Sequence, residues 1–152
     1  EENFHQLGLT KTPAMDTMVT IRRDLQMKRR IYYHDTDAGG VVYYANYLKF
    51  MEEARIEFFT QRGLSVTEHN GKVLFYPVKE CSIQYKKPAR FADEIECGAQ
   101  VIDLSKATIT FLQQVKNAQT GLVLVEAKVT LVCVNEQFRP MPIPEDVRRQ
   151  FA

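Results

Sequence analysis

The chain has almost no net charge, no long apolar run, no paired cysteines and no room for a second domain. Twenty Lys and Arg stand against nineteen Asp and Glu, a formal charge of +1, so no broad field exists to hold duplex nucleic acid or an anionic membrane. Local basic clusters could still grip one phosphorylated ligand. No apolar stretch approaches the ~18–20 residues of a spanning helix, and the opening residues contain no apolar signal core, so membrane insertion and export are not expected. Cys81, Cys97 and Cys133 are odd in number and form no C-x-x-C pair. That argues against a disulfide framework or a zinc site and for reduced thiols in a cytoplasmic protein. Internal repeats, low-complexity tracts, a G-x-S-x-G elbow and a G-x-x-x-x-G-K-[ST] phosphate loop are also missing.

What is present suits one globular domain: 152 residues, 45% hydrophobic and 26% charged. Residues 1–26 mix polar residues with Gly8 and Pro13 without sustained period, and read as a flexible arm or an added tail ahead of a domain spanning 27–152. A strand is expected from Met27, in MKRRIYYH. From 44 to 62 apolar residues recur at helical spacing (Tyr44, Leu48, Met51, Ala54, Phe58), and Gly63 follows as a stop. Afterwards the period becomes two, with strands expected over 94–102, 106–116 and 123–133, where only Leu112 and Gln113 break the alternation. The short links at 103–106 and 117–121 make these a meander. A further run, 72–86, changes register around Pro77 and should kink there. The order implies an α+β fold with an antiparallel sheet of five to six strands wrapped around one long helix.

The chemistry concentrates between the first strand and the helix, in YYHDTDAGGVVYYANY at 32–47. Asp35 and Asp37 precede Gly39 and Gly40, yet an EF-hand loop counted from Asp35 would put Gly39 and Asn46 where ligands belong. A bare D-x-D metal pair and a plain turn-forming, capping role remain the local alternatives. His34 beside the motif reads as structural, and His5 and His69 as surface residues. Tyr43, Tyr44 and Tyr47 are expected to pack in the core, with one or two lining a ligand channel.

DTDAGGVVYYANYLKF, with the strand before it and the helix after it, resembles the signature of the hotdog-fold acyl-CoA thioesterases, of the YbgC type and the related aspartate-dependent 4-hydroxybenzoyl-CoA thioesterases. QYKKPARFADEIE at 84–96 resembles the segment by which those proteins enter their meander. The similarity covers residues 27 to about 138 and implies a hotdog fold. It implies that Asp37 is the catalytic carboxylate, acting as nucleophile or as general base, and that the backbone N–H of Tyr44 at the helix start serves the developing oxyanion. Many YbgC-type proteins carry histidine where this chain has Tyr44, so no side-chain role transfers there. Gly40, with Gly39, would let the chain approach the thioester closely. Glu52 matches an acyl-contacting carboxylate of the 4-hydroxybenzoyl enzyme, although a solvated helix charge near Arg55 is the favoured local reading. Lys106 matches a CoA-phosphate contact, whereas Lys86, Lys87 and Arg90 have only their basic composition in their favour. For both groups the plain alternative is a solvated loop charge.

The resulting expectation is a cytoplasmic acyl-CoA thioesterase without metal or separate cofactor, coenzyme A entering as part of the substrate. Self-association as a homodimer or homotetramer is implied, with acyl carrier protein as a further partner and no nucleic acid. A non-hydrolytic acyl-thioester or acyl-carrier-protein binding module is the rival from another class. A hotdog dehydratase is a third reading, whose histidine and acidic residue this motif does not match.

Overall fold

A computed structural model describes residues 25–151. The expected arm therefore falls outside the described residues except for Leu25 and Gln26, which open the first strand, β1 (Leu25–Arg30), two positions earlier than the pattern indicates. Four further strands complete the main sheet: β4 (Val78–Tyr85), β5 (Glu94–Leu104), β6 (Thr108–Asn117) and β7 (Val123–Val132). Their spatial order is β1-β5-β6-β7-β4, with every neighbouring pair antiparallel. Helix α1 (Asn46–Thr60) lies on β5 and β1.

Alternation buries one face of the meander, with Ile109, Phe111 and Val115 of β6 beside Val125, Ala127 and Val129 of β7. Gln113 keeps the inward register despite its polarity and is fully buried, while Leu112 faces outward. From α1 the core receives Tyr47, Phe50, Met51, Ala54, Phe58 and Phe59. The expected stripe is thus rotated: Tyr44 and Leu48 are exposed. The cause is the helix start, since Tyr44 belongs to a turn ahead of Asn46. Of the three tyrosines expected in the core only Tyr47 is there, and Tyr43 is exposed as well. At the other end Gly63, at φ 69°, and Leu64 donate to the carbonyls of Thr60 and Phe59, the left-handed closure that glycine permits.

The run 72–86 does more than kink. Pro77 has no N–H and a fixed φ, so the ladder cannot continue through it. The segment before it, β3 (Lys72–Phe75), leaves the main sheet and pairs with β2 (Glu68–His69) and β8 (Val134–Asn135) in a small second sheet. After Pro77 the chain becomes β4, which pairs only with β7 among the described residues. β4 is therefore an edge strand, and nearly every residue along it is exposed. A short helix, α2 (Glu145–Phe151), closes the described chain, and His69 Nε2 lies 3.0 Å from Asp146 Oδ1, tying β2 to it. No helix among the described residues is long and apolar enough to cross a membrane.

Candidate active site

The link from β1 to α1 is held by Asp35. Its buried carboxylate accepts the N–H of Tyr32 at 2.9 Å and lies 3.5 Å from Nη2 of Arg29 on β1. Its carbonyl accepts both the Tyr43 N–H and Asn46 Nδ2 at 2.9 Å. One residue thus ties the strand to the start of the helix. Arg29 in turn reaches Glu53 at 3.2 Å and sits 4.0 Å above the Phe50 ring. Asp35 is a turn and capping residue, one of the roles the sequence leaves open. The capping alternative to a D-x-D metal pair covers Asp35, whereas its partners, Arg29 and Asn46, carry no such signal in the sequence.

Beyond Asp35 the chain makes a tight reversal. Thr36 and Val42 bridge each other, the Asp37 N–H donates to Val41 and the Gly40 N–H to Asp37. Both glycines are explained locally. Gly40 stands at φ 76°, where a side chain is strained. At Gly39 a Cβ would come within 3.1 Å of Asp37 Oδ1, the oxygen that accepts the Gly39 N–H at 2.8 Å. The Asp37 carboxylate is consequently pinned by one oxygen, and its other oxygen has no hydrogen-bond or ion-pair partner among the described residues.

Asp37 opens onto a cavity of about 300 Å³ shared with Tyr44, Tyr47, Tyr85, Lys86 and Lys87. The Tyr85 hydroxyl donates to the Tyr44 carbonyl at 3.1 Å, and the Tyr47 hydroxyl accepts the Ala89 N–H at 3.2 Å. Burial raises both phenols above their ordinary range. Ala45, just ahead of α1, provides no capping side chain. The Tyr44 N–H meets no acceptor among the described residues, while those of Tyr43 and Asn46 are taken. The structure therefore brings together, within one chain, Asp37, a spare N–H at the helix start and two lysines. Tyr85 belongs to this cavity too; in the sequence it reads only as a strand residue.

The remaining candidates lie elsewhere. Arg90 is exposed, with its backbone bridged to Val41 and its N–H on Asp93, and it does not line the Asp37 cavity. Lys106 lines a separate cavity of about 320 Å³ with Ser105, Pro142, Glu145 and Arg148. Glu52 lines a third, of about 310 Å³, next to Arg55, Tyr76 and Val78. His34 projects to solvent and stacks on Tyr32, and His5 lies outside the described residues.

Residues 32–151 match the model of the thioesterase-like superfamily. The acyl-CoA thioesterase YbgC of Haemophilus influenzae is 37% identical over 128 residues, covering 80% of this chain and 90% of that protein. The acyl-CoA thioester hydrolase YbgC of Escherichia coli O6:H1 is 34% identical over 123 residues, covering 80% and 91%. A probable thioesterase from Bartonella henselae superposes with a TM-score of 0.75 at 30% identity, covering 80% of this chain and 99% of that one. A matched motif, a single long helix on a five-stranded antiparallel sheet, and similarity along most of the length agree: the chain is a hotdog-fold member of the thioesterase-like superfamily.

Proposed function

We propose that this protein hydrolyses acyl-CoA thioesters to free acid and coenzyme A, with Asp37 as the catalytic carboxylate. The observation that carries the reading is the half-free Asp37 carboxylate in one cavity with the spare Tyr44 N–H. A carboxylate pinned by one oxygen presents the other in a defined direction. That oxygen either adds to the thioester carbonyl, expelling the CoA thiolate and leaving a mixed anhydride that water opens, or takes a proton from the water that adds. In both routes negative charge grows on the carbonyl oxygen, and an N–H at the positive end of α1 meets it. Since that donor is backbone, tyrosine in place of histidine leaves it intact. The superfamily membership and the YbgC relatives support this reading over a binding module, which would share the cavity but return the thioester unchanged. Mass spectrometry after incubation with octanoyl-CoA and benzoyl-CoA decides: equimolar acid and CoA support hydrolysis, and intact thioester sinks it.

Assembly completes the site in this reading. β4 offers an unpaired, exposed edge, with Tyr85 of the Asp37 cavity at one end and Val78 of the Glu52 cavity at the other. Antiparallel pairing of β4 with the β4 of a second copy would set the Tyr85 end of one chain against the Val78 end of the other. Each Asp37 would then face the Glu52 cavity of the other chain, which two separated cavities in one chain do not achieve. Light scattering is expected to show at least a dimer, in a homodimer or homotetramer, and a stable monomer at micromolar concentration would contradict the shared site.

Coenzyme A carries several phosphate charges that a chain of formal charge +1 cannot attract as a whole. Lys86 and Lys87 stand at the Asp37 cavity by the start of β7, whereas Lys106 lies beyond the other end of that strand, so a nucleotide bound at one Asp37 would meet Lys106 only of a second copy paired along β4. Lys106→Ala is expected to raise KM for acyl-CoA with little change in kcat, because a remote phosphate contact is the same in ground and transition states. The effect should shrink at high salt. Unchanged KM at low ionic strength would transfer the role to Lys87 and Arg90. The free thiols of Cys81, Cys97 and Cys133 support a reducing, cytoplasmic location, with burial raising that of Cys97 to about 12 and leaving it inert.

A further inference from the structure

The cavity beside Glu52 has an unusual floor. Its walls are apolar, including Phe59, Phe75, Val78 and Leu131, yet Arg55 reaches it from the core side of α1. Arg55 is 7% exposed and forms no ion pair among the described residues. Its sole hydrogen-bond partner among the described residues is neutral: Nη1 donates to Gln113 Oε1 at 2.8 Å. Gln113 cannot turn away, because its Nε2 spends both hydrogens on the carbonyls of Met51 at 3.0 Å and Gly98 at 3.2 Å. The guanidinium is thereby fixed on one side. Among the described side chains only Arg29 Nε is fully enclosed without a partner. The unpaired nitrogens of Arg55 therefore keep some open surface, and Arg55 is one of the residues that line this cavity. Glu52, on the rim of the same cavity, is exposed; its carboxylate acts on Arg55 from beyond ion-pair distance and favours the charged guanidinium without contacting it.

We propose that this cavity binds an apolar carbon chain ending in a carboxylate, gripped by the free side of the Arg55 guanidinium. A buried cation whose nearest counter-charge, Glu52, is solvent-exposed and out of contact is poorly compensated, and a planar fork of N–H donors matches a carboxylate in geometry as well as in charge. Apolar walls suit methylenes, and about 310 Å³ falls within the size of a small-ligand pocket. The carboxylate has two sources. It is the far end of a dicarboxylic acyl group whose thioester lies at Asp37 of the partner subunit, or it is the head of a free fatty acid. The first source rests on the thioesterase reading above; the second does not.

Two arms test this. In the first, kcat/KM is compared for suberoyl-CoA and octanoyl-CoA, which share an eight-carbon chain and differ in the terminal carboxylate. The ratio is expected to favour suberoyl-CoA by about 10-fold or more in the wild type. It should collapse towards one in Arg55→Met and lie between in Arg55→Lys, which keeps charge without the fork. A ratio measured on one preparation is unaffected by any unfolded fraction. In the second, calorimetry compares free octanoate with octanamide on the wild type, needing neither turnover nor a variant. An Arg55-dependent suberoyl preference establishes the acyl source. No such preference, with octanoate bound about 10-fold or more tighter than octanamide, establishes the free acid instead. Equal treatment in both arms overturns the carboxylate subsite, whether or not the thioesters are hydrolysed. Absence of all hydrolysis removes the thioesterase reading and leaves the calorimetric arm to decide the subsite.

Discussion

Asp37→Asn is expected to lower kcat by about 10²-fold or more while leaving the melting temperature nearly unchanged. The amide is close to isosteric, and its Oδ1 can still accept the Gly39 N–H that shapes the turn. What it loses is the charge and basicity of the second oxygen, which has no structural partner to miss. Both routes to the free acid fail together, since an amide neither adds readily to a thioester nor takes a proton from water. KM should move little, as binding of CoA and the acyl chain falls to other residues. Turnover within a few-fold of wild type in the folded variant would remove Asp37 from the chemistry.

Tyr44→Pro separates the backbone from the ring at the second essential position, and kcat is expected to fall by about 10²- to 10³-fold, the usual cost of removing an oxyanion donor. Proline deletes the N–H of this position, which meets no acceptor among the described residues. It also sits in the turn before Asn46, ahead of the helical ladder that proline would break. Tyr44→Ala is the control, because it removes the ring and keeps the donor. If Tyr44→Ala loses as much activity as Tyr44→Pro while both keep their circular dichroism, the side chain is at work and the backbone assignment is wrong.

The elements with long, regular patterning are legible in the amino-acid sequence. β7 alternates cleanly, β5 and β6 do so over most of their length because each buries one face, and α1 declares itself through its 3.6 period and the glycine that ends it. Legibility ends where long-range pairing decides. Pro77 announces a kink, but only the competition between β7 and the small sheet for partners sends β3 and β4 to different neighbours. The helix start reads too early because Tyr44 is in phase with the apolar stripe, while its position is set by Asp35 holding Tyr43 and Asn46 from across the loop. The site divides in the same way. Asp37 and its glycines form a contiguous motif, so their turn can be read directly. Arg55 and Gln113 are 58 positions apart, one looking like a helix surface charge and the other like a strand irregularity. Only the packed core shows that they hold each other beneath a cavity.

The most direct measurement is a time course of free-thiol release from a panel of short, long and aromatic acyl-CoAs, at protein concentrations far below substrate. The wild-type chain is predicted to release many equivalents of CoA thiol per protein from at least one of them, and the Asp37→Asn variant to release almost none. A wild-type chain that binds these thioesters and leaves every one intact would contradict hydrolysis and make the protein an acyl-thioester binding module.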